Sequence, residues 1–375
     1  MSCIENKDPS TTEVREHDCF LPPYTIEAQY DAVPLAEQVP YYVQQIGEDY
    51  KKLQELGRFG EGRKICVLDT GADKHHVQVS KELANVVKAV SFVRGENEWD
   101  GNSHGSHCLG MIGAQNQGSG ITGVAPKATL YSGKVLSRTG SGSSADIARG
   151  IRWAADELGA GGIINLSLGG GYDRGTQDAC RYAVSKGLIV VASMGNSGSR
   201  GGGYPGILPD DESYGIAAMD KNDKLADFSS WGEAALFVGY GVDCISTTVG
   251  GRYSSFSGTS MSGPQVAATI ALALNMLEDA GEGPFTQQTF LERIKPHIND
   301  LGPDGRDKFF GLGKISLDSL AASLKAPVKP VDPVDPVDPV EPPKCPVDPD
   351  KVCGCLLYTS PSPRDQRGSR MPSSA

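Results

Sequence analysis

A serine at the start of a long apolar segment is the first candidate for chemistry in this sequence. Ser260 lies in GTSMSGPQVAATIALALNML, residues 258–277, whose composition predicts a buried helix. A serine hydroxyl becomes an effective nucleophile when a neighbouring base accepts its proton. The N-terminus of a helix also stabilises negative charge that develops beside it. The alternative at this point is a helix-capping serine, a common role for this residue type.

Two histidines lie in a second segment, DGNSHGSHCLGMIGA, at residues 100–114. Histidine has an ordinary pKa of about 6.5, which suits proton transfer near neutral pH. Both His104 and His107 are therefore candidates for a general base. Because most histidines are structural rather than catalytic, we expect one of the two to be structural.

An aspartate ends an apolar run in ICVLDTGAD, residues 65–73. Open α/β sheets bind ligands at the edge formed by the carboxyl ends of their strands, so Asp69 is expected at such an edge. A carboxylate there would hold an imidazole in one tautomer and stabilise its charged form. The alternative is an aspartate in a turn at the end of a strand.

An asparagine between two glycines follows another apolar run in LIVVASMGNSG, residues 188–198. A rigidly held side-chain amide is a suitable hydrogen-bond donor to a developing oxyanion, and Asn196 is a candidate for that role. The alternative is an asparagine in an ordinary turn.

The elements that must position these residues alternate along the chain. Six short runs are apolar on both faces, which is typical of buried parallel strands: KICVL (64–68), VVKAVSFV (86–93), ATLYSGKVL (128–136), GIINLSL (162–168), LIVVAS (188–193) and YGIAAM (214–219). The clearest helix is predicted over 143–158, where apolar residues form one stripe: Ile147, Ile151, Ala154, Ala155 and Leu158. Strands alternating with helices predict an α/β fold, a doubly wound, mostly parallel sheet with helices on both faces.

Taken together, the four segments resemble the subtilisin family of serine proteases. The family's motifs read here as D-T-G at Asp69, H-G-S-H-C at His104 and G-T-S-M-S-G-P at Ser260, in the order Asp, His, Ser. The likeness runs over residues 39–324, most of the chain. It implies a serine endopeptidase with Asp69, His104 and Ser260 as its triad and Asn196 in its oxyanion hole. The resemblance selects His104 over His107 as the general base. It also implies that the peptidase chemistry needs no cofactor.

The resemblance also implies a substrate cleft. Two backbone segments would pair with an extended peptide: Gly140, Ser141 and Gly142 on one side, and Ser167, Leu168 and Gly169 on the other. Gly203 in GYPG (203–206) would form the floor of the primary specificity pocket, and the Tyr204–Pro205 bond is a candidate cis bond. An open, uncharged floor implies broad specificity with a preference for a large apolar P1 residue.

Calcium is left open by the resemblance. Relatives bind a structural ion with an acidic residue soon after D-T-G and an asparagine in a later loop. Gln78 and Gln117 stand at those places here. Calcium prefers carboxylate and carbonyl oxygens, so two glutamines weaken the expectation of a structural calcium without removing it, and we assign no metal ligands.

Four regions are predicted along the chain. Residues 1–38 form a polar N-terminal extension, and 39–326 form the peptidase domain. A Pro-Val-Asp-rich linker covers 327–343 and favours an extended spacer. A disordered tail covers 344–375, whose last ~20 residues we interpret as translated linker sequence. Leu21-Pro22-Pro23-Tyr24 resembles the Pro-Tyr segment of intracellular subtilisins, so we hypothesise that 20–24 inhibits the cleft, the alternative being a disordered tail.

The bulk properties exclude several partners. A net charge of −11 without a basic cluster argues against nucleic acid, and the absence of a long apolar run argues against a membrane span. Protein or peptide substrates remain as the expected partners, and the oligomeric state is not predicted. Without a recognisable signal sequence the chain is expected in the cytoplasm, or outside the cell if a leader is missing from the gene. Cys66, Cys108, Cys180 and Cys244 are expected as small buried thiols.

Three rival functions compete with the protease interpretation. A non-catalytic relative that only binds peptides is not favoured, because all four catalytic positions are filled. A nucleotide-binding enzyme would need G-x-G-x-x-G spacing before a helix, which the glycine-rich stretch at 195–203 does not have. A thiol hydrolase using Cys108 is disfavoured by the apolar helical context of that cysteine.

Overall fold

The computed structural model describes residues 39–47, 59–115 and 120–325, together with the backbone of strands Asp18–Phe20 and Thr25–Tyr30. The linker, the tail with its cysteines, the segment at 21–24 and Gln117 lie outside the described residues. By its contacts the chain divides into two units, 1–326 and 327–375. None of the helices in the described part is long and apolar enough to cross a membrane.

Strands are numbered β1–β15 and α-helices α1–α8 in chain order within the described part of the chain. The strands are Asp18–Phe20 (β1), Thr25–Tyr30 (β2), Lys64–Asp69 (β3), Val86–Ser91 (β4), Thr129–Lys134 (β5), Ser141–Ser143 (β6), Ile163–Leu166 (β7), Gly169–Gly170 (β8), Ile189–Ser193 (β9), Tyr214–Met219 (β10), Ala235–Tyr240 (β11), Cys244–Thr248 (β12), Arg252–Ser257 (β13), Ile298–Asn299 (β14) and Lys314–Ile315 (β15). The α-helices are Tyr41–Gln44 (α1), Lys74–Gln78 (α2), His104–Gly113 (α3), Ser144–Leu158 (α4), Arg174–Ser185 (α5), Thr259–Asp279 (α6), Gln287–Ile294 (α7) and Leu317–Lys325 (α8).

A seven-stranded parallel sheet forms the centre of the fold, in the order β11-β10-β9-β7-β3-β5-β4. All six predicted apolar runs lie in it, and the predicted helix is α4, with its whole apolar stripe buried. The prediction of a doubly wound α/β fold is confirmed. The six apolar runs did not predict β11, the seventh strand of this sheet.

Two apolar clusters cover the two faces of this sheet. On β3, Ile65 and Val67 belong to one cluster and Cys66 and Leu68 to the other, because successive side chains of a strand point to opposite faces. The first cluster includes residues of α3 and α6, and the second includes residues of α4 and α5. Helices therefore bury both faces, which explains why these strands are apolar throughout.

Two smaller sheets contain the N-terminal strands. Strand β1 is the middle strand of the sheet β6-β1-β8, and β2 is an edge strand of the antiparallel sheet β12-β13-β2. Strand β13 leads directly into α6, so this second sheet adjoins the start of the helix that contains Ser260.

Candidate active site

Three neighbouring strands of the central sheet deliver candidate residues to one edge. Asp69 is the last residue of β3, Ser167 follows β7, and Asn196 follows β9 by three positions. These strands are adjacent and parallel, so their carboxyl ends lie at the same edge. The chain order also reverses at β3, because β5 lies on one side and β7 on the other, and such a switch point is the usual place for a binding cleft.

Asp69 and His104 form a buried pair. The His104 imidazole Nδ1 lies 2.9 Å from Asp69 Oδ1 and 3.0 Å from Oδ2. Burial lowers the pKa of His104, but the charges and hydrogen bonds of Asp69 and Cys108 together raise it, and the pKa lies well above its usual value. The predicted pairing of these two side chains, 35 residues apart in sequence, is present in the structure.

Ser260 is the second residue of α6, a helix of 21 residues that is buried over most of its length. Its Oγ donates to the carbonyl oxygen of Ser167 at 3.3 Å, and its own carbonyl oxygen accepts from Ser167 Oγ at 2.9 Å. The Cys108 thiol donates to the same Ser260 carbonyl oxygen at 3.5 Å and lies 4.0 Å from His104 Nδ1. Cys108 therefore contacts both the helix that contains Ser260 and the Asp69–His104 pair.

Asn196 is oriented by Thr259, the residue before Ser260. Its Oδ1 accepts from the Thr259 backbone N–H and from Thr259 Oγ, each at 2.8 Å. With the amide oxygen fixed in this way, the Nδ2 group is the end of the side chain that can donate to another group. The sequence reading did not assign this role to Thr259, although Thr259 lies within the G-T-S motif.

Each of the two predicted substrate-binding segments contributes residues to a short strand. Ser141 and Gly142 lie in β6, with Gly140 immediately before it at φ +79°. Gly169 lies in β8, immediately after Ser167 and Leu168.

Gly203, the predicted pocket floor, packs directly on β8. A Cβ added to Gly203 would lie 3.1 Å from Gly169 Cα and 3.3 Å from Gly170 N, so a larger residue would push against this strand. The Tyr204–Pro205 bond that follows is cis, as the sequence reading anticipated.

Strand β1 lies between these two segments. Cys19 is opposite Gly142 on one side and Gly170 on the other, and Phe20 is opposite Ser141 and Gly169. Both pairings are antiparallel. The chain's own N-terminal strand thus completes a three-stranded sheet between the two segments, the arrangement in which a peptide adds as a strand to its receptor.

His107 has a structural environment. Its Nε2 lies 2.9 Å from the carbonyl oxygen of Cys244 and 3.2 Å from that of Ser254, and its ring stacks on Phe256. Burial, followed by the nearby positive charge of His104, lowers the pKa of His107 to about 3. A histidine that stays neutral and buried in this way is part of the core.

Cys108 does not have the environment of a thiolate nucleophile. Burial raises its pKa, and the opposing effect of His104 does not offset that rise. A nucleophilic cysteine needs a lowered pKa. All four cysteines expected to be buried thiols, Cys66, Cys108, Cys180 and Cys244, are buried and free.

Gln78, one of the two glutamines considered for a calcium site, is the last residue of α2. Gln78 is exposed at the end of α2. The nearby Glu82 carboxylate already accepts from the Ile121 N–H at 2.8 Å and from the Tyr253 hydroxyl, and it pairs with His76 at 3.1 Å. Glu82 therefore links α2 and β13 to the chain at Ile121.

The Subtilase family model matches residues 60–313, more than half of the chain. The matched range contains all four candidate catalytic positions together with the substrate-binding segments. The chain belongs to the subtilase family.

Several curated relatives are similar to the chain. An alkaline protease of Alkalihalobacillus alcalophilus is 38% identical over 249 residues, 66% of this chain and 62% of the relative. Subtilisin E of Bacillus subtilis strain 168 is 35% identical over 303 residues, 79% of this chain and 74% of the relative. Subtilisin Savinase of Lederbergia lenta is 39% identical over 239 residues, 63% of this chain and 84% of the relative. The match therefore spans less than two thirds of the alkaline protease's own length.

Proposed function

We propose that the chain is a serine endopeptidase with Asp69, His104 and Ser260 as its triad. The observation that carries the proposal is the buried Asp69–His104 pair, at 2.9 Å, together with Cys108, which contacts both His104 and the carbonyl oxygen of Ser260. Names of similar proteins, among them subtilisins and alkaline proteases, support the same conclusion. Hydrolysis of casein by the purified chain, and its loss on blocking Ser260, tests the proposal.

The mechanism follows from the roles of the three side chains. Because His104 Nδ1 faces the Asp69 carboxylate, Nε2 is the nitrogen that accepts the Ser260 proton as Oγ attacks the scissile carbonyl. The C–N bond breaks when His104 Nε2 returns this proton to the leaving amine, which leaves an acyl-enzyme. Water then gives a proton to His104 and attacks the acyl carbon, releasing the carboxylic acid and restoring the serine hydroxyl.

Asn196 is proposed to donate Nδ2–H to the oxyanion, and replacing it with alanine should lower kcat about 10²- to 10³-fold with little change in KM. That magnitude was measured on a subtilisin and is a family expectation. Asn275→Ala is the matched control, because Asn275 is buried and donates to the Glu61 carbonyl oxygen far along α6. Steady-state kinetics of both variants tests the role, and equal kcat values would refute it.

The pH dependence of kcat/KM should report the raised pKa of His104. The imidazole must be neutral to accept the Ser260 proton, so activity is lost as pH falls through this pKa. Because Asp69 holds the pKa well above its usual value, the acid limb should lie above about pH 6.5. A profile from about pH 5 to 9 measures it, and a limb at or below 6.5 would contradict the assigned pairing.

The proposed substrate preference is a large apolar residue at P1. Support comes from the glycine surface formed by Gly169 and Gly203, which has no side-chain charge. Among tetrapeptide amides that differ only at P1, those with Phe or Leu should give higher kcat/KM than those with Glu or Lys. Since apolar pockets discriminate weakly between apolar residues, kcat/KM for the Phe and Leu substrates should differ by no more than about 200-fold. A preference for a charged P1 residue would overturn this assignment.

The N-terminal segment is proposed to inhibit peptide hydrolysis by occupying the substrate cleft. Support comes from β1, which pairs with β6 and β8 where a substrate strand would pair, and from the complete burial of His104 and Ser260. The sequence that follows β1 contains Pro22 and Pro23, and proline has no backbone N–H to donate. A segment that binds like a substrate yet lacks these donors is suited to occupy the cleft without being turned over efficiently.

A further inference from the structure

Thr70, the residue after Asp69, connects the two partners of the buried pair. It is fully buried, and its backbone N–H donates to Asp69 Oδ1 at 2.7 Å. Its hydroxyl accepts from the N–H of Gly105, the residue after His104, at 2.9 Å. The same hydroxyl donates to Asp100 Oδ1 at 2.9 Å. One side chain therefore links the end of β3 to the first turn of α3.

Asp100 fixes the start of α3. Its Oδ1 also accepts from the backbone N–H groups of Asn102 and Ser103, at 2.7 and 3.1 Å. Its Oδ2 accepts from both the N–H and the hydroxyl of Ser106, at 2.9 and 2.6 Å. Ser103, immediately before His104, has φ +96°, an unfavourable conformation for a serine. The Asp100 carboxylate thus holds a strained turn from which His104 extends.

Lys134 completes the connections of Thr70. Its buried Nζ donates to the carbonyl oxygen of Thr70 at 2.7 Å and to that of Leu136 at 2.9 Å, and it pairs with Glu96 at 3.1 Å. Thr70 consequently has a partner at its N–H, at its carbonyl oxygen and, in both directions, at its hydroxyl. A residue with a hydrogen bond at every polar group is fixed in place, and it therefore fixes the relative position of the elements that it contacts.

We propose that Thr70 and Asp100 are positioning residues, which set the distance and angle between Asp69 and His104 without contacting the substrate. This inference rests on the proposed function. Asp69 lies on a strand and His104 on a helix, so their alignment depends on contacts between those two elements. A misplacement of about 1 Å in a catalytic site can cost about 10²-fold in rate, and loss of the Thr70 hydroxyl removes two of these contacts.

The test replaces Thr70 by valine, which keeps the shape but removes the hydroxyl, and by serine, which keeps it. Thr70→Val should lower kcat about 10²-fold with KM nearly unchanged, and Thr70→Ser should restore most of the rate. Thr269→Val is the matched control. Thr269 is buried in α6, donates to the Gln265 carbonyl oxygen at 2.9 Å and accepts from Gln265 Nε2 at 3.0 Å. It should lower Tm by an amount similar to Thr70→Val and leave kcat unchanged.

All variants are assayed as the full chain, with kcat expressed per active site titrated by a fluorophosphonate. Equal kcat for Thr70→Val and Thr269→Val, at comparable Tm, would overturn the proposal. If Thr70→Val does not fold, Asp100→Asn decides, because an amide has one acceptor oxygen where the carboxylate has two. Either Ser106, or Thr70 with Asn102 and Ser103, would then face an NH2 group that cannot accept their hydrogen bonds. That variant should lose at least about tenfold in kcat at constant KM, and an unchanged kcat would overturn the proposal. A wild type that stays inactive after removal of residues 1–24 would instead refute the proposed function itself.

Discussion

Replacing Ser260 by alanine is expected to abolish peptide hydrolysis, with kcat falling about 10⁶-fold, a magnitude known from removal of the serine or the histidine of a subtilisin triad. The physical reason is that no other nucleophile in the described site is activated: burial raises the pKa of the adjacent Cys108 thiol. The helix and its contacts remain, since Ser260 is linked to Ser167 through its backbone carbonyl as well as its hydroxyl. Hydrolysis of a chromogenic peptide at matched, folded concentrations measures the loss.

The same experiment can show that Ser260 and His104 act as a unit. His104→Ala should lose about as much activity as Ser260→Ala, and the double variant should lose little more. His107→Ala provides no useful comparison because His107 stacks on Phe256 in the core. Independent, additive losses for the two substitutions would contradict a shared proton transfer between His104 and Ser260.

Removal of residues 1–24 is expected to raise the activity of freshly purified chain by about 10²-fold. A tethered segment has an effective concentration near the millimolar range, so even a strand with a dissociation constant near 10 µM would leave about 1% of the clefts open. The assay compares initial rates of the truncated and full-length chains, with intact mass confirming that each is unprocessed. A peptide of residues 14–24 added in trans should inhibit the truncated chain, and a scrambled peptide should not.

A longer deletion separates inhibition from folding. Strand β2 is hydrogen-bonded along β13, from Thr25 opposite Ser257 to Tyr30 opposite Tyr253. Deleting residues 1–30 would leave the backbone N–H and C=O groups of β13 unpaired at that edge. The 1–30 deletion should therefore have a lower Tm than the 1–24 deletion. Equal initial rates for the full-length chain and the 1–24 deletion would contradict the inhibitory role of β1.

The sequence was informative where a local pattern determines the structure. The run around Val67 is apolar on both faces because helices cover both faces of the sheet. The apolar run ends at Asp69, so the sequence also predicted this residue at the carboxyl end of the strand. Strand β11 was not predicted, and it lies in a part of the chain where β10 to β13 follow β9 with no described helix between them. The chain passes from β11 directly into the hairpin of β12 and β13 instead of into a helix.

Contacts between residues far apart in the chain could not be predicted from the sequence pattern. Asn196 was recognised as a candidate donor, yet its orientation depends on Thr259, which lies 63 residues away. Thr70 and Asp100 are likewise 30 residues apart, and only the folded chain shows that they join Asp69 to the helix of His104. Such contacts depend on how strands and helices pack, which no local spacing encodes.

Mass-spectrometric labelling with a fluorophosphonate tests the central claim most directly. The probe forms a covalent bond with an activated serine, so the modified residue can be read from the peptide masses. The account predicts a single adduct at Ser260 in the 1–24 deletion, absent from Ser260→Ala and strongly reduced in His104→Ala. An adduct at another serine, or no adduct at Ser260 in a folded protein from which residues 1–24 are absent, would contradict the assignment of Ser260 as the nucleophile.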